Sequence, residues 1–168
     1  MLTLPTRKRR KKQPYLAIRS RLTRRQIAKQ AGLFFPELRQ FMQERGIETA
    51  GGPFIRYNVV GPHELDLEFG HFTERLYPGS GPIRAGTVPA GTYVSVTWHG
   101  HFDKLQEVDA MLIGWARETG APLDCTETQA GLFFGCRMAI YHNALQHPTD
   151  PDQWQTEVAI MLRQPQGA

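Results

Sequence analysis

Local signals for a strand, a helix and two more strands follow one another along this chain, and the same order then starts again. Residues 13–21 alternate, with Leu16 and Ile18 on one face and Tyr15, Ala17 and Arg19 on the other, as in a half-buried strand. Thr23 followed by Gln26 is a capping-box start for a helix. The helical pattern pauses at Gly32 and resumes at Pro36-Glu37. It places Phe34, Leu38, Phe41 and Met42 on one stripe and stops at Gly46. Strands are predicted over residues 54–60 and at Leu65, Leu67 and Phe69, which alternate with Asp66, Glu68 and Gly70. After a loop over 77–82 comes a strand at 93–98. A helix capped by Asp103 follows, with Leu105, Val108, Leu112 and Trp115 at helical spacing and a stop at Gly120. A strand at 137–143, a polar turn at 147–152 and a strand at 156–162 complete the second copy.

A duplicated β-α-β-β order, with two antiparallel sheets and one helix each, is an α+β architecture. Tyr15 then corresponds to Tyr93, Tyr57 to Tyr141, and residues 66–69 to 157–160. A cleft is expected between the two modules, where small-molecule sites tend to form. Residues 13–165 read as one domain, with repeats over about 13–76 and 83–163.

The net charge of +4 is unevenly placed, since residues 7–12 alone carry six positive charges. Residues 1–12 are therefore expected to be a basic, unstructured tail that is not expected to contact DNA. Neither a signal peptide nor a membrane helix is expected, and Cys125 and Cys136 read as two free thiols in a reducing cytoplasm.

In the last strand, Thr156, Val158, Ile160 and Leu162 share one face, and Glu157, Ala159, Met161 and Arg163 share the other. The first set suits a core under a helix. The second reads either as a pocket wall around a carboxylate or as one wet face of an antiparallel sheet. Tyr15, Phe41, Tyr57, Tyr93, Trp98, Phe102, Tyr141 and Trp154 lie on or beside predicted elements, with Phe41 assigned to the core. Aromatic rings with a desolvated carboxylate suit a flat, cationic ligand. His99-x-His101 has no third partner of metal-ligand type, so no metal is expected. Phosphate-loop glycine patterns and a nucleophile elbow are both missing, and no cofactor is expected. Residues 23–32 look like the start of a helix-turn-helix, but the apolar Leu33-Phe34-Phe35-Pro36 follows where a polar recognition helix should stand.

Several stretches taken together carry a family resemblance: residues 13–19, 45–47, 50–57, 66–70 and 84–93, then Trp98-His99-Gly100-His101-Phe102-Asp103, and Trp154-Gln155-Thr156-Glu157-Val158. In this order they resemble the GyrI-like small-molecule-binding domain, also called the effector-binding domain of bacterial transcription activators. The resemblance covers residues 13–162 and departs from the family pattern at the basic run 7–12 and over 125–136, an insertion or long hairpin.

The resemblance implies a pseudo-twofold pair of β-α-β-β modules. It implies a cleft for planar aromatic or cationic, drug-like compounds, with Glu157 as its strand carboxylate. Tyr141, Tyr57, Tyr93, Trp98, Phe102, Tyr15 and Glu68 are the further candidate contacts. Some members resemble hydrolases of cyclopropane-bearing alkylators, and in that case Glu157 would be the general base, its acidity weakened by burial, and Tyr141 its partner. A stand-alone binder, a hydrolase, and an adaptor for gyrase or a transcription factor all stay open at this point.

Overall fold

The computed structural model describes residues 1–144 and 149–165, so the predicted turn at 147–152 lies partly outside the described residues. In chain order the elements are β1 (Thr6–Arg10), β2 (Gln13–Leu22), α1 (Ile27–Glu44), β3 (Pro53–Val60), β4 (Leu65–Phe72) and β5 (Ile83–Val88). They continue with β6 (Gly91–His99), α2 (Leu105–Glu118), β7 (Cys125–Thr128), β8 (Gly131–Phe134), β9 (Arg137–Tyr141) and β10 (Gln155–Met161).

One antiparallel sheet runs β1-β6-β10-β9-β3-β4-β2-β5, with the β7–β8 hairpin attached to β3. The two expected sheets are thus halves of one, joined where Ile55 of β3 faces Ala139 of β9. About that seam β3, β4 and β2 mirror β9, β10 and β6. The register makes the repeat quantitative. Tyr15 pairs with Phe72 and Tyr93 pairs with Met161, so overlaying Tyr15 on Tyr93 overlays Glu68 on Glu157.

Both helices cover the same face. Leu38, Phe41 and Met42 of α1 pack on Leu16 and Ile18, while Val108, Leu112 and Ala116 of α2 pack on Val94, Val96, Val158 and Ile160. Each such buried Val, Leu, Ile, Phe or Met side chain contributes about 1.5–3 kcal/mol. Helix α1 runs unbroken through Gly32 and Pro36 rather than pausing there. Pro36 cannot donate to the Gly32 carbonyl, and the packing of the following turn holds the helix together. Its start keeps the capping signal, since the Thr23 N–H donates to Gln26 Oε1 at 2.9 Å. Residues 23–32 therefore belong to one sheet-packed helix and its entry turn, not to a helix-turn-helix.

The other face is closed by the curl of the sheet. Strands β1 and β5 end the strand path, yet two residues join β1 to β2 and two join β5 to β6. Three Cα steps span at most about 11 Å, so opposite ends of the sheet must approach. Inside the curl Tyr15, Phe54, Phe72, Val88, Tyr93, Met138, Ile140, Ala159 and Met161 form one cluster.

The basic run is a strand, which corrects the expectation of an unstructured tail. Residues 6–10 pair along β6 from Thr6↔Ser95 to Arg10↔Gly91, and Leu2 bridges Trp98. Alternation sends Lys8 and Arg10 to the inner face, toward the carboxylate of Glu157. Residues 125–136 contain the β7–β8 hairpin, and both cysteines are free. No helix among the described residues is long and apolar enough to cross a membrane.

Candidate functional site

A cleft of about 660 Å³ lies between α1 and α2 on the helix-covered face. Its floor comes from the central seam, where Ile55 and Tyr57 of β3 and Tyr141 of β9 point toward the helices. One wall is the stripe Ile27, Ala31 and Phe35 of α1, and small residues at 28, 31 and 32 leave room beside it. The other wall is Phe102, Leu105 and Asp109 at the start of α2. Phe102 meets Tyr141 edge-on at 5.0 Å between ring centroids and stacks on Trp154 at 4.2 Å. Among the described residues no group of three or more His, Cys, Asp or Glu is placed to hold a metal. His101 instead accepts a hydrogen bond from the Asp103 N–H at 3.1 Å as the cap of the turn before α2.

Asp109 is the buried carboxylate of this cleft, and the Arg137 guanidinium donates to it at 2.9 Å. Burial raises the Asp109 carboxyl above its ordinary value of 3.8, and the Arg137 charge offsets this only in part. The Arg137 side chain also lies over the Tyr57 ring at 5.0 Å. Burial pushes the Tyr57 phenol up to about 12, helped by Asp109 and opposed by Arg137. Tyr141 is raised as well, first by burial. Both phenols are therefore neutral donors at physiological pH. The sequence carried a signal for Asp109, which is four residues after Leu105 and three before Leu112, on the apolar stripe of its helix.

Glu157 does not reach the cleft. It pairs across the sheet with Thr97 and Ile140, so its side chain enters the curl, whereas Tyr141 pairs with Thr156 and faces the helices. Glu157 and Tyr141, expected together, are therefore split by the sheet. Glu157 is buried at 5 % exposure and held by Arg10, by the Ser95 hydroxyl at 2.7 Å and by His142 Nε2 at 3.1 Å. Burial by itself would raise its carboxyl. The His142 and Ser95 hydrogen bonds and the Arg10 charge outweigh that and hold it at about 2. The expected weakening of its acidity is reversed, and an acid this strong is a poor general base near neutral pH.

Of the other candidates, Tyr57, Phe102 and Tyr141 line the cleft. Tyr15 and Tyr93 are core residues inside the curl, where Tyr15 donates to Glu68 at 2.8 Å and Tyr93 to the Pro89 carbonyl at 2.7 Å. Glu68 also accepts from Asn58 at 2.9 Å, so it is the satisfied mate of Glu157. Trp98 packs on the α2 core and donates to the His101 carbonyl at 2.9 Å. Alternation placed Tyr15, Glu68 and Glu157 off the helix-packed faces of their strands, but it did not separate them from Tyr57 and Tyr141 or show that their face is enclosed by the sheet itself.

Known structures share this architecture. The C-terminal domain of EcmrR superposes with a TM-score of 0.77 at 17% identity, covering 96% of this chain and 98% of that domain. In the EcmrR–DNA complex the TM-score is 0.78 at 17% identity, and the match covers 96% of this chain but 58% of that one. SAV2435 bound to tetraphenylphosphonium gives 0.62 at 10% identity, with 96% and 94% coverage. A hydrolase from Listeria innocua gives 0.59 at 10% identity, with 95% and 91% coverage. At such identities the likeness is one of fold. A comparison with curated proteins finds no match. The model of the GyrI-like small molecule binding domain matches residues 8–163, so it takes in most of β1 and both modules. The chain belongs to the GyrI-like small-molecule-binding domain family.

Proposed function

We propose that this domain binds a planar aromatic or aromatic cationic small molecule in the cleft between α1 and α2, with the buried Asp109–Arg137 pair in its wall. The observation that carries this reading is one cavity of about 660 Å³ with a mainly apolar wall, converging rings and one buried carboxylate. Phe35, Tyr57, Phe102 and Tyr141 offer ring faces and edges, and Asp109 shares its charge with Arg137 instead of leaving it free. The aromatic cation bound to the similarly folded SAV2435 supports the same ligand class. An effector role toward a transcription regulator is the matching partner reading, supported by the EcmrR likeness. A hydrolase built on Glu157 is not carried forward, because that carboxylate lies across the sheet from the cleft.

Fluorescence titration with planar cationic dyes and tetraphenylphosphonium tests the proposal, since Trp154 stacked on Phe102 reports on the wall. Saturable binding is expected, weakened about tenfold by Tyr141→Ala, the loss of about 1.4 kcal/mol. Absence of saturable binding across the panel would overturn it.

A further inference from the structure

A second cavity, about 270 Å³, opens on the opposite face of the sheet and, among the described residues, shares no lining residue with the cleft. Its polar side is built by Arg10, Lys11 and His142, and its apolar side includes Phe72, Val88 and Ile140. The loop Ala50-Gly51-Gly52 closes one end. Gly52 has to be glycine here, because a Cβ would sit 2.3 Å from the Tyr141 carbonyl oxygen. No aspartate or glutamate is among the described lining residues.

The charges around this cavity do not balance. Glu157 beneath it brings one negative charge, already met by Arg10 and approached by Lys8 at 3.8 Å. Lys11 is exposed and has no carboxylate partner among the described residues. Arg10 Nε is buried without a hydrogen-bond acceptor. Cationic donors thus outnumber carboxylates at the rim of a small, partly apolar hollow. An anion placed there gains from Lys11 and the Arg10 guanidinium, and an apolar body gains from the wall.

We propose that this hollow is a second ligand site, separate from the helix cleft, that takes a small organic carboxylate with a short apolar body. Strand β9 serves both sites, presenting Ile140 to this one and the next residue, Tyr141, to the cleft. The site exists because β1 is a strand: as an unstructured tail, residues 10 and 11 would not be fixed beside His142.

Hexanoate titrated into the full chain at low ionic strength, followed by amide NMR, tests this. Saturable shifts are expected at Lys11, Gly51 and Gly52, with Ala31 and Phe102 unmoved. Lys11→Glu is expected to weaken hexanoate about tenfold or more, and Lys11→Gln to weaken it less. Binding of an aromatic cation in the cleft stays unchanged in both variants. Inorganic phosphate, which lacks an apolar body, is expected to bind about tenfold more weakly than hexanoate. The proposal is overturned by any of four results: no saturable shift, shifts centred on Ala31 and Phe102, equal affinity in Lys11→Glu, or phosphate binding as tightly as hexanoate. None of these touches the reading of the cleft, which stands or falls on the dye titration.

Discussion

Two buried carboxylates, Glu157 and Asp109, are shifted in opposite directions because their partners differ. Glu157 receives hydrogen bonds from His142 and Ser95 and faces Arg10, so its folded value of about 2 lies below the ordinary 4.5. Stability from this group is complete above pH 4.5 and is lost as the pH falls toward about 2. Acid unfolding followed by circular dichroism should therefore lose this component in Glu157→Gln. The same variant should be less stable by about 1–3 kcal/mol at pH 7, because Arg10 keeps a buried charge without its partner. Asp109 is raised instead, so its ionised form costs stability at neutral pH and its protonation is favoured as the pH falls. A cationic ligand in the cleft is expected to bind more weakly as falling pH protonates Asp109, and a neutral analogue to be unaffected by that step. Dye titrations across a pH series check this, and equal loss for both ligands would rule out a contribution from the Asp109 charge.

Elements follow local patterning except where distant packing decides. The alternation of β2, β4 and β10 was readable from Leu16 and Ile18, from Leu65, Leu67 and Phe69, and from Val158 and Ile160, all of which now lie under helices. Strands β1 and β5 were not readable. Arg7-Lys8-Arg9-Arg10 has no apolar face, and Arg84-Ala85-Gly86-Thr87 offers too little β-propensity to stand out. Their order comes from β6 and β2, which would otherwise be bare edges. Two glycine substitutions separate the tight places from the loose ones. Gly70→Ala in β4 would put a Cβ 2.5 Å from the buried Phe54 ring and is expected to cost about 1–3 kcal/mol. Gly114→Ala in α2 meets nothing within 4 Å and is expected to stabilise by about 0.5–1 kcal/mol. Chemical denaturation of both variants checks the pair.

At the scale of the whole molecule, residues 6–10 are a strand of the sheet and Leu2 bridges Trp98 ahead of it. Deleting residues 1–10 removes Arg10 from Glu157 and bares the β6 edge. The shortened chain is expected to melt lower by about 5 °C or more and to self-associate through β6, whereas removal of a loose tail would change neither. Thermal melts and size-exclusion chromatography decide between the two. The sequence by itself determined the duplicated β-α-β-β order, the faces of β2, β4 and β10 and the family, because those rest on local periodicity and short motifs. It also brought out Tyr57, Phe102 and Tyr141, which the fold gathers in one cleft. Only the tertiary structure decided which face holds that cleft. Ala159 and Met161 beside Glu157 read as a pocket wall because small and soft residues line pockets and curled interiors alike. The two-residue links at 11–12 and 89–90 bring distant strands together and fill that side with Phe54 and Tyr93. The larger of the two cavities, and with it Asp109, is left on the helix side. Sheet closure of this kind depends on residues far apart in sequence, which local patterning does not encode.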